Sequence, residues 1–339
     1  MKNLALHFEA LQARLPADGP GFSALVLRHG QPVFELHHGL ACLELGVPLT
    51  GRSRYYLASE SKQFTAACML DLVRQALIGL DDDVAPHLPE VRQFGQAISV
   101  RQLLNHTSGI PDYFAFLQCQ LGRHDSDYFN NAHLLRIIEK MDELAFAPGS
   151  AHAYSNCNYI LLARLVEVLS GQSLTEHARS TLFAPLGMHA TMFDAERQAV
   201  MPQRVRSYTS DASLPGGYRQ HLGNANTVGD GGVYASLHDL ALWERAWHHQ
   251  YVDPDSLVRS LLQPSSAPDG NCWPYRFGLE VVEHAGREVV FHGGGLWGFR
   301  SLILRLPQAG LSVLQLSNCD TAEPDQPALL AAITADLDS

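Results

Sequence analysis

The chemistry available to this chain starts in the stretch YYLASESKQFTAACMLDLVRQ, residues 55–75, with Ser59 and Lys62. Side chains three positions apart on a helix lie roughly 4.5 Å apart along the axis and about one turn round it, so a hydroxyl and an amine can share a face. A serine hydroxyl is a poor nucleophile until a base takes its proton, and a neutral lysine amine beside it can do that. The lysine is otherwise out of place. Phe64, Ala67, Cys68 and Leu72 form one apolar stripe, and Ala66, Met69 and Val73 form a second that follows Lys62 at helical spacing. A helix apolar on most sides is expected to be buried, and a buried ammonium must find a partner or lose its proton. At a helix start the free amide of Ser59 and the positive end of the dipole can also support negative charge on an attacked carbonyl oxygen. On this motif alone two plainer readings stay open, Ser59 as a helix N-cap and Lys62 as a solvated surface residue.

Two further stretches carry polar groups at element ends. AYSNCNYILL puts Tyr154, Ser155 and Asn156 just before a helix, and VVFHGGGLWGF puts His292, Gly293, Gly294 and Gly295 at the end of a strand. S-x-x-K, then Y-x-N, then H-x-G, in this order, resembles the serine β-lactamase and penicillin-binding protein superfamily. The phrases SKQFTAA, LLNHTSGIPDY, FAPGSAHAYSNCNYILL, PLGM and GDGGVYASLHDLALW resemble the branch with class C β-lactamases, D-stereospecific peptidases and related esterases, and the likeness covers roughly residues 5–320.

The resemblance implies that Ser59 is the acylated nucleophile and Lys62 its neighbouring base. Tyr154 would shuttle the proton between Ser59 and the leaving group, and Asn156 would hydrogen-bond Lys62 and the substrate's amide oxygen. His292 and Gly294 would bind substrate, and the amides of Ser59 and Gly295 would form the oxyanion hole. His292 departs from the K-T-G of most β-lactamases in the superfamily. A lysine there is a permanent cation for a substrate carboxylate, whereas a histidine with an ordinary pKa near ~6.5 is only partly charged at neutral pH; if its charged form holds such a carboxylate, binding should weaken as the pH rises through that pKa. The expected activity is therefore a serine hydrolase of a small ester or amide, of the esterase or D-amino-acid peptidase type. The alternatives are a β-lactamase or penicillin-binding protein acylated by β-lactams, and a ligand sensor or scaffold without turnover. No cofactor and no metal are expected.

Other candidates read as structural. His106 and Ser108 in NHTSG are two apart on a turn, and no G-x-S-x-G supplies a nucleophile elbow elsewhere. There is no HExxH, and the pairs His37/His38 and His248/His249 point to different faces of any regular element. The six cysteines (Cys42, Cys68, Cys119, Cys157, Cys272, Cys319) show no CxxC pair and read as free buried thiols.

The elements that must position these groups follow from periodicity and punctuation. MKNLALHFEALQARLP reads as an amphipathic helix and not as a signal-peptide core, so a cytoplasmic location is expected. FSALVLRHGQPVFELHHGLA reads as a hairpin turning at His29-Gly30-Gln31, and residues 60–78 as a helix stopped by Gly79. Ser236 opens another helix with Asp239 at its third position. YRFGLEVVE, REVVFHGG, FRSLILRLP and LSVLQLSN read as four strands, and 326–337 as a closing helix. The fold class is α+β: residues 1–83 and 226–339 join in one antiparallel sheet domain with terminal helices, 84–225 form a mostly helical domain, and the site lies in the cleft between them.

Bulk properties exclude other classes. The 339 residues are 46% hydrophobic and 17% charged, as in a soluble globule, and the net charge of −11 with no Lys/Arg cluster argues against nucleic acid. No apolar run reaches the ~20 residues that cross a bilayer. The expected partner is a small-molecule ester, amide or β-lactam.

Overall fold

The computed structural model describes residues 1–114, 117, 127–196, 199–221, 223–266, 269–270 and 272–338. The first helix, α1 (Lys2–Arg14), buries Leu4, Phe8 and Leu11, a spacing that puts all three on one side. Burying each such side chain stabilises by roughly 2 kcal/mol. Strands β1 (Phe22–Arg28) and β2 (Gln31–His38) follow as a hairpin. His29 and Gly30 both take left-handed backbone there, φ 50° and 73°, which matches the twist of paired strands.

The chain returns to this sheet only near its other end. Strands β3 (Glu280–His284), β4 (Arg287–Leu296), β5 (Phe299–Leu306) and β6 (Leu311–Ser317) complete a six-stranded sheet of order β3-β4-β5-β6-β1-β2, antiparallel throughout. Phe22 of β1 pairs with Ser317 of β6, so the sheet is closed across nearly the whole sequence. Alternation then sorts the side chains. Phe22, Ala24 and Val26 join Leu304, Val313 and the terminal helices, whereas Leu25, Leu27, Ile303 and Leu314 join the core of the other helices. The closing helix, Gln326–Leu337, lies where its sequence pattern predicts and packs beside α1.

On the other face lies α2 (Lys62–Arg74), preceded by a 3-10 turn, Ala58–Ser61, that rests on β4 and β5. Ten consecutive-to-near residues of α2, from Lys62 to Leu70 and Leu72, are buried, so the helix is surrounded as its sequence implies. It ends earlier than expected. The Ala76 amide donates to the Val73 carbonyl and the Leu77 amide to that of Leu72, a Schellman closure whose left-handed residue is Ala76 at φ 57°. Gly79 is therefore not the stop: Asp82 holds its amide in the following turn.

Between the two halves of the sheet, helices run at Val100–Leu104, Asn131–Ile138, Asn156–Ser170 and Leu174–Ala178. The helical character predicted for 84–225 is carried by this first part. From Met188 to Gly232 the described chain consists of turns and strands of two or three residues. One of those, Met192–Phe193, joins Tyr55–Tyr56 and Val233–Ala235 in a small sheet that clamps the approach to Ser59. No described helix is long and apolar enough to cross a membrane.

Candidate active site

Ser59 sits in the 3-10 turn, behind Ala58 in left-handed backbone at φ 49°. Non-glycine residues avoid that region, and such strain persists only where the surroundings fix it. Here they do. The Leu57 amide donates to Val233 O at 2.9 Å, the Ser301 hydroxyl donates to Leu57 O at 2.7 Å, and the Ile303 amide donates to the Glu60 carboxyl group at 2.7 Å. Ser59 does not cap the helix: no side-chain capping bond is made at the start of α2.

Lys62 is fully buried, not solvated. Its three N–H groups meet three acceptors: Ser59 Oγ at 3.1 Å, Asn156 Oδ1 at 2.8 Å and the Asp230 carbonyl at 2.5 Å. Burial pushes its pKa down to about 8, against the pull of the Asp230 and Asp112 carboxylates. A neutral fraction of roughly a tenth is thus available at pH 7, rising to about half at pH 8. When Lys62 Nζ is neutral, its lone pair can face the Ser59 hydroxyl, which is what an activated nucleophile requires.

Tyr154 stands just before the helix Asn156–Ser170, with Lys62 Nζ 4.9 Å from its ring centre. The residue as a whole is 39% exposed, yet its phenol lies in enclosed surroundings beside Ser59. Enclosure drives the phenol pKa well up, and the Ser59 bond pulls the other way, so the resting residue carries its proton. Asn156 is the first residue of its helix. Its backbone amide and Nδ2 both donate to Asp112 Oδ2, at 2.6 and 2.8 Å, which turns its side-chain oxygen toward Lys62.

His292 is brought to the same cluster, but its expected charge is corrected. It is buried, its Nδ1 donates to Gly293 O at 2.6 Å, and Nε2 accepts from Tyr275 at 3.1 Å. Burial first, and then the Lys62 charge, lower its pKa to about 3. The imidazole is neutral across the physiological range and offers no cation whose loss could weaken carboxylate binding between pH 5 and 8. A Cβ at Gly294 would stand 2.2 Å from Leu57 O and 3.2 Å from Ser59 N, so only glycine lets β4 lie against the nucleophile turn. At Gly295 the nearest contact of a Cβ would be Arg300 Cδ at 3.5 Å, so packing does not demand glycine there.

Ser59, Lys62, Tyr154, Asn156, His292 and Gly294 thus converge. Sequence reasoning missed Asp112 and Asp230, which hold Asn156 and Lys62, and Glu60, which anchors the turn. Asp112 lies in the quoted stretch LLNHTSGIPDY and Asp230 in GDGGVYASLHDLALW, yet no spacing tied either to Lys62. A cavity of about 770 Å³ lined by residues such as His29, Arg245 and His248 holds none of these groups. Cys42, Cys68, Cys157 and Cys319 are free and buried as expected, Cys272 is free but exposed, and Cys119 lies outside the described residues.

Comparison with known proteins bears on this geometry. A family model described as Beta-lactamase matches residues 8–337. The chain is 34% identical over 309 residues to a D-aminopeptidase of Gluconobacter oxydans (strain 621H), covering 91% of this chain and 57% of that one. It is 30% identical over 312 residues to a D-aminopeptidase of Brucella anthropi, covering 91% of this chain and 58% of that one, so it spans little more than half the length of these curated relatives. Among solved structures, a D-stereospecific amidohydrolase from Streptomyces sp. is 27% identical with a TM-score of 0.76 over 97% of both chains. The octameric penicillin-binding protein homologue from Pyrococcus abyssi, 23% identical over 100% of this chain and 77% of that one, shares the fold with a TM-score of 0.82. With a family model that spans the sheet, the helices and every motif between them, the chain belongs to the β-lactamase family.

Proposed function

We propose that the protein is a serine hydrolase that cleaves small amides and esters through an acyl-enzyme on Ser59, with amides of D-amino acids as its principal substrates. The observation that carries the reading is the buried Lys62 amine 3.1 Å from Ser59 Oγ, with its pKa lowered to about 8. Neutral Lys62 takes the hydroxyl proton as Oγ attacks the carbonyl carbon. The oxyanion is received by the amides of Ser59 and Gly295, on the two segments that Gly294 allows to touch. Tyr154 gives its proton to the leaving nitrogen as the C–N bond breaks, and takes one back from the Ser59–Lys62 pair. The same groups activate water against the ester.

The choice of amine-bearing over carboxylate-bearing substrates rests on electrostatics. His292 is neutral, the Arg300 guanidinium beside Gly295 is engaged through Nη1 by the carbonyls of Trp297 and Phe299 and through Nε by the Glu323 carboxylate at 3.5 Å, and the carboxylates of Asp112 and Asp230 act on Lys62. Such a site favours a free amino group over the carboxylate that β-lactams carry. A cavity of about 430 Å³ beside Trp297 and Phe299 mixes the rings of Tyr56 and Tyr234 with Asp194, Arg204, Arg206 and His221, so it can take a group with polar as well as apolar atoms. The relatives named D-aminopeptidase support the same reading. We place the site in a cleft between the sheet and the helical section.

The test is hydrolysis of D-alanine p-nitroanilide, its L-isomer and a chromogenic cephalosporin by wild type and Ser59→Ala. Turnover of the D-amide above the other two, lost by roughly 1,000-fold or more in the variant, is expected. An unchanged rate in Ser59→Ala would remove the acyl-enzyme, and faster cephalosporin turnover would make the protein a β-lactamase.

A further inference from the structure

The histidine of NHTSG takes no part in the chemistry above, yet it holds Tyr154 from three directions. The carbonyl of His106 accepts the Ala153 amide at 3.0 Å, and its Nδ1 accepts the Ser155 amide at 3.2 Å. The residues on both sides of Tyr154 are thus bonded to one side chain and its own backbone. The imidazole lies against the Tyr154 ring, with ring centres 4.3 Å apart and planes inclined by 36°.

The rest of the motif fixes the imidazole. Ser108 Oγ donates to Asn158 Oδ1 at 2.6 Å, which leaves Asn158 Nδ2 facing His106 Nδ1 at 3.1 Å. Nδ1 therefore faces two donors, Ser155 N–H and Asn158 N–H, and acts as an acceptor, so the proton sits on Nε2. That Nε2 is buried and without a hydrogen-bond partner, and the ring meets Tyr275 edge-on at 4.5 Å. Burial and the nearby Lys62 charge also disfavour a protonated imidazole.

The backbone at His106 is set by the end of the preceding helix. His106 closes the helix Val100–Leu104 in a Schellman motif, its own amide to Leu103 O and that of Thr107 to Gln102 O, with φ 58°. Glycine and asparagine are the usual residues at that position, and histidine is among the few others that take it.

We propose that His106 is the positioning residue of Tyr154: it pins residues 153–155 and backs the phenol so that the hydroxyl stays within reach of Ser59 and the leaving group. This rests on the functional reading above, in which Tyr154 delivers the leaving-group proton.

Leaving groups separate this role from a merely structural one. An anilide nitrogen must be protonated to depart, whereas p-nitrophenolate leaves without a proton. His106→Asn, which tolerates left-handed backbone, should lower kcat on D-alanine p-nitroanilide roughly 10-fold or more, as loss of general acid function does. The acylation burst with p-nitrophenyl acetate should change by less than about 3-fold, within which positioning losses are not resolved. In a Tyr154→Phe background the same substitution should cost nothing further on the anilide, because residues acting as one unit are not additive. Equal loss on both probes, or additive loss in the double variant, overturns the proposal. A Tyr154→Phe enzyme at the wild-type anilide rate overturns the functional reading of Tyr154 itself and this proposal with it. Should His106→Asn fail to fold, His106→Gly takes the same backbone and is read identically. Independently of turnover, the NMR ring signals of Tyr154, assigned by their loss in Tyr154→Phe, should move in His106→Gly, and unmoved signals overturn the clamp.

Discussion

Lys62 carries the pH dependence of the proposed reaction, and its sign follows from the direction of the shift. The ordinary lysine is charged far above neutrality, but burial lowers this one to about 8. Below that value the ammonium donates to Ser59 Oγ and cannot take its proton; above it the amine can. Acylation should therefore rise with pH and level off above an apparent pKa near 8, with no lower inflection from His292, whose pKa of about 3 leaves it neutral throughout. A kcat/KM profile between pH 5 and 10 checks this, and a descending limb centred on 8 would reverse the assignment. The same shift bears on stability. The unfolded chain binds this proton up to pH ~10.4 and the folded one only to about 8, so this group makes stability rise with pH between the two values.

At the scale of elements, the nucleophile turn is held to the sheet by one buried carboxyl group, Glu60, whose pKa burial raises to about 8. Glu60 accepts from Ile303 N through one oxygen and from Gln63 Nε2 through the other, both at 2.7 Å. Gln63 cannot turn its amide over, because its Oε1 already accepts from Trp243 at 2.9 Å and from Arg305 at 3.0 Å. Glu60→Gln must then set a donor against a donor on one side or the other. A loss of about 2 kcal/mol is expected, with slower acylation, since a buried donor left unpaired costs that much. Urea unfolding and burst kinetics measure both, and full stability with full burst would show that the turn does not depend on this carboxyl group. Little of this was legible in the sequence. Ser59 and Lys62 were, because both lie on one local segment whose periodicity exposes a misplaced charge. Glu60 reads as an ordinary polar residue until Ile303, 243 positions away, supplies its partner. The helix end shows the same limit: Gly79 was the natural stop, but Ala76 accepts the left-handed conformation first. Ser236 does cap its helix by accepting from Asp239 N, yet the Asp239 carboxylate turns outward to Ala190 N and Thr191 Oγ1, a use no local pattern encodes.

At the scale of the whole molecule, the site is assembled from five segments, and the sheet brings the first and last of them together. The order of motifs and the strand-rich ends were readable because hydrophobic alternation is local. The neutral state of His292 was not, because it depends on enclosure by groups such as Tyr275 and on the charge of Lys62. Closure across the sequence has its own polar fastening. The first-turn amides of α1 have no partner within the helix, and Asp336 of the closing helix takes them: Asn3 N at 2.8 Å on one oxygen and Leu4 N at 3.0 Å on the other. Its side chain is only 2% exposed. Asp336→Ala leaves those amides unsatisfied beneath the terminal helices and should cost about 2 kcal/mol in urea unfolding. Because the terminal helices cover the sheet face opposite α2, the folded variant should keep the wild-type kcat for D-alanine p-nitroanilide. Wild-type stability in Asp336→Ala would mean that water satisfies those amides as well as the carboxylate does. A fall in kcat at full folding would mean that the packing of the covered face is felt across the sheet, at the turn that carries Ser59.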